Sequence, residues 1–133
     1  MSYIILFIVW RRLEIMKGLK MLKRLTQDYI DSFNAKDLDA ISSMLSDEFS
    51  LEDPVVKRLE GKDKCLKAIL NIFNNCQNLN FKAKNIYTDD KTSFIEFILI
   101  LDDKHLEGVD IIEWNENYKI SALRAYLYEV VDG

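Results

Sequence analysis

Two aspartates and one tyrosine occupy positions where the surrounding pattern calls for apolar side chains. Phe49-Ser50-Leu51-Glu52-Asp53 alternates as a strand does, so Asp53 shares its face with Leu51 and Phe49 while Glu52 points away. Asp110 likewise shares a face with Ile112 and Trp114, and Glu107 and Glu113 take the other. Tyr29 falls on the helical stripe Ile15, Leu19, Leu22, Leu25, Tyr29, Ile30, Phe33. A carboxyl turned into apolar surroundings resists ionisation, and a buried phenol needs a hydrogen-bond partner. Acids perturbed in this way mark sites of proton transfer. Each residue also has a purely structural reading. Asp53, just before Pro54, could cap a strand end. Tyr29 could be a core tyrosine bonded to a carbonyl. Asp110 would face water if its strand slipped by one residue.

The elements that must position these groups follow from periodicity. The stripe predicts an amphipathic helix over 16–34. Asp37 is a suitable N-cap for a short helix carrying Leu38, Ile41 and Leu45. Pro54 ends the strand over 49–53. A third helix runs from about 62 to 75, with Leu66, Ile69, Leu70 and Phe73 on its apolar side. Its opening Gly61-Lys62 lacks the rest of a phosphate loop. Strands are expected near 79–88, 92–101, 105–114 and 118–130. Their turns fall at Asp89-Asp90, Asp102-Asp103 and Asn115-Glu116-Asn117. Helices followed by a strand meander predict an α+β fold, with helices packed on one face of a curved, mainly antiparallel sheet.

A chain of 133 residues, 49% hydrophobic and 30% charged, is one soluble-type domain. A net charge of −4 argues against a phosphate-binding surface and hence against nucleic acid as a partner. No apolar run reaches the ~18–20 residues of a membrane span, and no membrane partner is expected. Cys65 and Cys76 are eleven residues apart on the expected third helix, about 16 Å along its axis, too far to pair. They read as reduced thiols, which points to the cytoplasm. His105 is the only histidine and reads as an exposed turn residue, so neither a metal site nor a Ser–His or Cys–His pair is expected.

Tyr3–Trp10, YIILFIVW, has no polar face and is followed by Arg11-Arg12. It lacks the charge order and cleavage site of a secretory signal, and eight residues cannot cross a bilayer. Residues 1–15 are set apart as an apolar extension from a single domain at 16–133. Either the true start is Met16 or Met21, or the segment packs on a partner subunit or on the core. Lys17, Lys20, Lys23 and Arg24 read as a solvated face.

Three stretches together resemble the NTF2-like superfamily, in its SnoaL-like and ketosteroid-isomerase-like branch. They are Tyr29-Ile30-Asp31-Ser32-Phe33-Asn34-Ala35-Lys36-Asp37-Leu38-Asp39-Ala40-Ile41, then Leu51-Glu52-Asp53-Pro54-Val55 with Gly61, then Gly108-Val109-Asp110-Ile111-Ile112-Glu113-Trp114. The last runs on to Lys119 and Leu123-Arg124-Ala125-Tyr126-Leu127. The resemblance covers about residues 20–131. It implies a cone of three helices closing a bent sheet around an apolar pocket, usually in homodimers. By that resemblance Asp53 is the general base that removes a proton next to a carbonyl, and Tyr29 and a protonated Asp110 donate hydrogen bonds to the enolate oxygen. Helix three departs from the pattern, with Ile69 and Phe73 and no supporting tyrosine.

The expected lining is Phe49, Leu51, Phe73, Leu99, Ile112, Trp114, Leu123 and Leu127. The expected ligand is a small apolar or carbonyl-containing molecule, with no cofactor and no metal. Val109, Ile111, Arg124 and Tyr126 are assigned to the outer sheet face, where a homodimer would form. Two other functions fit the same sequence: a pocket that binds without turnover, and an interaction module.

Overall fold

A computed structural model of the chain describes residues 2–131. Three helices and six strands run in the order α1 (Tyr3–Asn34), α2 (Leu38–Met44), β1 (Leu45–Asp53), β2 (Lys57–Glu60), α3 (Lys62–Asn74), β3 (Leu79–Asp89), β4 (Thr92–Leu101), β5 (Lys104–Trp114), β6 (Ile120–Glu129). The strands form one sheet, ordered β2-β1-β6-β5-β4-β3. All neighbours are antiparallel except β1 and β6, which run parallel. The helices pack on one face of this curved sheet, an α+β cone as expected.

Local chemistry accounts for the element ends. Asp37 accepts from the Ala40 amide at 3.0 Å and starts α2. Asp90 and Asp102 take left-handed backbone conformations (φ 53° and 55°) in the expected hairpin turns. Gly61 enters α3 at φ 101°, a region open to glycine. Gly108 sits where β5 passes so close to β6 that a Cβ would strike the Tyr126 carbonyl and Leu127.

Alternation along the strands fills the core. In β4, Ser93, Ile95, Phe97 and Leu99 are buried and face the helices. A buried hydrogen-bonded chain joins three elements within that apolar layer. The Trp114 indole N–H donates to Ser93 Oγ at 2.9 Å, the Ser93 and Thr26 hydroxyls share a bond of 2.7 Å, and Thr26 Oγ1 donates to the Leu22 carbonyl at 2.6 Å.

Five details differ from the sequence reading. Residues 3–15 do not pack on the core: α1 is continuous from Tyr3, and its side chains up to Lys17 are exposed. Leu45 opens β1 instead of closing α2. The short strand β2, whose four residues include one apolar side chain, pairs with β1 across the turn at Pro54. Cys76 lies just beyond α3, because the helix ends at Asn74. His105 is the second residue of β5 and half-buried, with Nε2 lacking a hydrogen bond.

Candidate active site

The sheet register brings the two aspartates into one row. Asp110 pairs with Ala125 across β5 and β6. Leu51 pairs with Leu123 and Glu52 with Arg124 across β1 and β6, so the next position, Asp53, falls beside Ala125. Both acids therefore stand on the inner face, separated by one strand, about 10 Å between their backbones. The methyl of Ala125 is all that lies in the row between them. Helix α1 crosses above and supplies Tyr29 one turn before Phe33.

These groups line one cavity. Its walls are Tyr29, Phe33, Leu51, Asp53, Ile69 and Ile72, continued across the sheet by Phe81, Phe97, Leu99, Asp110, Leu123, Ala125 and Leu127. Its volume is about 80 Å³, well above the ~10–15 Å³ an ordered water needs and below the ~300–1,000 Å³ of pockets that enclose drug-sized ligands. A steroid does not fit these walls as they stand.

Of the expected lining, Leu51, Leu99, Leu123 and Leu127 reach the cavity. Phe49, Phe73, Ile112 and Trp114 do not: all four are buried in the core around it. Phe73 stacks edge-on against Phe33 at 5.1 Å between ring centres, so the Phe33 ring takes the place expected for Phe73. Phe33 and Ile69 showed themselves in sequence as helical stripe residues, but nothing local says which stripe residue meets a cavity. Phe81, Phe97 and Ala125 show their facing by alternation, but which inner-face residues meet at the cavity depends on the register across strands.

Tyr29 is 4% exposed and Asp110 5%. Burial, reinforced by the nearby charge of Asp53, pushes the Asp110 carboxyl up to about 7. Burial first, then the Asp110 charge, pushes the Tyr29 phenol well above its ordinary range. Tyr29 thus stays a neutral donor at any physiological pH, and Asp110 holds a proton through the acid range up to neutrality. Asp53 is less buried, at the rim. Its Oδ1 accepts from the amides of Val55 at 2.7 Å and Val56 at 2.6 Å, which shapes the turn at Pro54. The strand-end role and a place on the cavity wall are therefore both filled by Asp53. Among the described residues no cluster of three or more His, Cys, Asp or Glu side chains is arranged to hold a metal.

A cone of helices on a bent sheet is the NTF2-like fold, and here Tyr29, Asp53 and Asp110 face one apolar cavity within it. The chain belongs to the SnoaL-like domain family, whose model matches residues 26–123. No protein of the curated set matches it. Its fold is similar to that of a candidate ketosteroid isomerase from Kribbella flavida, at 17% identity and a TM-score of 0.75, over 86% of this chain and 83% of that one. It is also similar to an LEH-like epoxide hydrolase of M. tuberculosis, at 16% identity and 0.70, over 84% and 85%. A third likeness is to a candidate SnoaL-like polyketide cyclase from Shewanella denitrificans, at 10% identity and 0.71, over 81% and 90%. At such identities these likenesses establish the fold alone.

Proposed function

We propose that this protein catalyses proton transfer next to a carbonyl on a small apolar substrate. One observation carries the reading: Tyr29, Asp53 and Asp110 line a single apolar cavity, with Asp110 held up to about 7. Asp53, at the rim, acts as the base. It removes a proton from the carbon beside the carbonyl, and the electron pair moves onto the oxygen as an enolate. Tyr29 and protonated Asp110 donate hydrogen bonds to that oxygen as charge develops. Asp53 then returns the proton to another carbon, so the substrate isomerises and the protein is regenerated. Names of structural neighbours, an isomerase and a cyclase among them, are in keeping with this chemistry.

The test uses a short-chain β,γ-unsaturated ketone of a size suited to the cavity, followed by absorbance of the conjugated product. Asp53→Asn should lower kcat by about 10³-fold, and Tyr29→Phe or Asp110→Ala, which each remove a donor, by about 10²–10³-fold. Turnover unaffected by Asp53→Asn removes the base from the reading.

A second reading, ligand binding without turnover, has its own support. The Asp53 Oδ1 is already engaged by two amides, which leaves only Oδ2 free to meet a substrate proton. Under it, small apolar ligands raise the Tm of wild type and Asp53→Asn alike, with no product formed.

For either reading we propose a homodimer through the outer sheet face. Val109 and Tyr126 pair across β5 and β6, as do Ile111 and Arg124. Arg124 is steadied by Glu113 at 2.6 Å, and Tyr126 is exposed. An apolar centre with an Arg and a Tyr matches the composition of protein interfaces.

A further inference from the structure

The first half of α1 is a surface that nothing in the pocket explains. Residues 3–17 extend from the body as helix, about 22 Å of it, with the first half-buried positions at Gly18 and Leu19. Tyr3 through Trp10 are each between 50% and 90% exposed, and Ile15, in line with the buried Leu22, is 59% exposed. All eight residues of Tyr3–Trp10 are apolar, so the helix there has no polar side to turn to water.

Charge divides the chain at the same place. Residues 2–24 hold six of the 18 basic residues and one of the 22 acidic ones, a net of +5. The rest holds 12 basic against 21 acidic, a net of −9. Arg11 and Arg12 follow the apolar segment directly, and Lys17, Lys20, Lys23 and Arg24 follow on the side away from the core. At the junction the Phe7 ring has Trp10 at 6.3 Å and the Arg11 guanidinium at 5.9 Å.

We propose that this part of α1 docks the domain on an anionic lipid bilayer. Tyr3–Trp10 enters the acyl region of one leaflet, and Arg11, Arg12 and Lys17 meet the lipid phosphates. Eight residues give about 12 Å of helix, which fits one leaflet of a ~30 Å hydrocarbon core. No helix among the described residues is long and apolar enough to cross a membrane, and insertion into one leaflet is what Tyr3–Trp10 is long enough for. Trp10 stands at the level where aromatic side chains favour the interface. The basic side chains give attraction to anionic lipid over a negative body that would otherwise be repelled. A second copy of the chain is the weaker occupant. Helix pairing covers one stripe, whereas this segment is apolar all round, and it would bring two sets of cations together.

The experiment is flotation of the full chain with phosphatidylcholine vesicles, with and without about 30% phosphatidylserine, together with tryptophan emission. The other tryptophan, Trp114, is buried, so an emission shift reports Trp10. Wild type should float with the anionic vesicles and shift to the blue, and Trp10→Phe should float without the shift. Leu6→Asp combined with Phe7→Asp should lower binding more than tenfold at unchanged Tm, since both side chains are exposed. Lys17→Gln, Lys20→Gln and Lys23→Gln together, or salt raised from about 0.1 to about 0.5 M, should lower it several-fold. The proposal is overturned by three results: no flotation, undiminished flotation of the Leu6/Phe7 variant, or an emission that vesicles leave unchanged while sedimentation shows self-association lost in that variant.

Discussion

Asp110 meets two demands with one state of its carboxyl. The fold needs it uncharged, because it is buried and faces the charge of Asp53, and the proposed chemistry needs it protonated for the same reasons. The consequence for stability has a definite sign. Unfolded, the group titrates near the ordinary ~3.9; folded, at about 7. Below the first value both states carry the proton. Between the two, the folded protein keeps a proton the unfolded chain has released, so stability falls as pH rises and levels off above about 7. Asp110→Asn should flatten that fall and raise Tm at pH 8 by at least ~3 °C, read by calorimetry across pH 4–8. Parallel wild-type and variant curves would count against a buried, protonated Asp110. Asp53→Asn, which removes the second cause, should lower the Asp110 titration midpoint in carboxyl NMR. The same midpoint sets the pH profile of turnover, with activity lost above about 7 as the Asp110 donor ionises.

At the scale of elements, α1 divides into an exposed first half and a packed second half. Its second half presents Leu22, Thr26, Tyr29, Ile30 and Phe33 to the sheet. Thr26 anchors it through Ser93 on β4, which in turn accepts from Trp114 on β5. Removing the Ser93 hydroxyl leaves a buried indole N–H unpartnered and strips Thr26 of one of its two partners. Ser93→Ala should therefore cost about 1–3 kcal/mol, a large share for one oxygen, measurable by urea unfolding. A loss under ~0.5 kcal/mol would mean that the hydroxyl chain does not hold α1 to the sheet. This network was not legible in sequence. Thr and Ser are small enough to pass as neutral members of an amphipathic pattern, and only packing shows that both are fully enclosed.

At the scale of the whole molecule, the sheet separates the cavity on its inner face from the proposed partner surface on its outer face. Strands β1 and β6 bring Leu51, Asp53, Leu123, Ala125 and Leu127 to the cavity side, and β5 and β6 pair Val109 with Tyr126 and Ile111 with Arg124 on the other. The dimer reading predicts a sedimenting mass of twice 15.6 kDa. Val109→Lys with Tyr126→Lys should convert it to monomer while leaving Asp53-dependent turnover in place. A wild-type monomer at micromolar concentration would leave the outer face without this partner.

Periodicity determined much of this protein. The alternation of Phe49, Leu51 and Asp53, and of Asp110, Ile112 and Trp114, already placed both acids on inner faces. The stripe through Tyr29 and Phe33 placed the phenol on the core side of α1. Turn residues located the β3–β6 meander: Asp90 and Asp102 take the left-handed backbone in its first two hairpins, and Tyr118, just after the expected Asn115-Glu116-Asn117, takes it in the third. Facing is a local property, fixed by the two-residue and 3.6-residue repeats. Distance across strands is not. That β1 lies parallel beside β6, that Asp53 and Asp110 share a row across Ala125, and that Phe33 and Phe81 wall the hollow while Phe73 and Trp114 are packed around it, all depend on long-range register. Register is decided by the summed packing of the sheet and helices, and no window of sequence contains both partners.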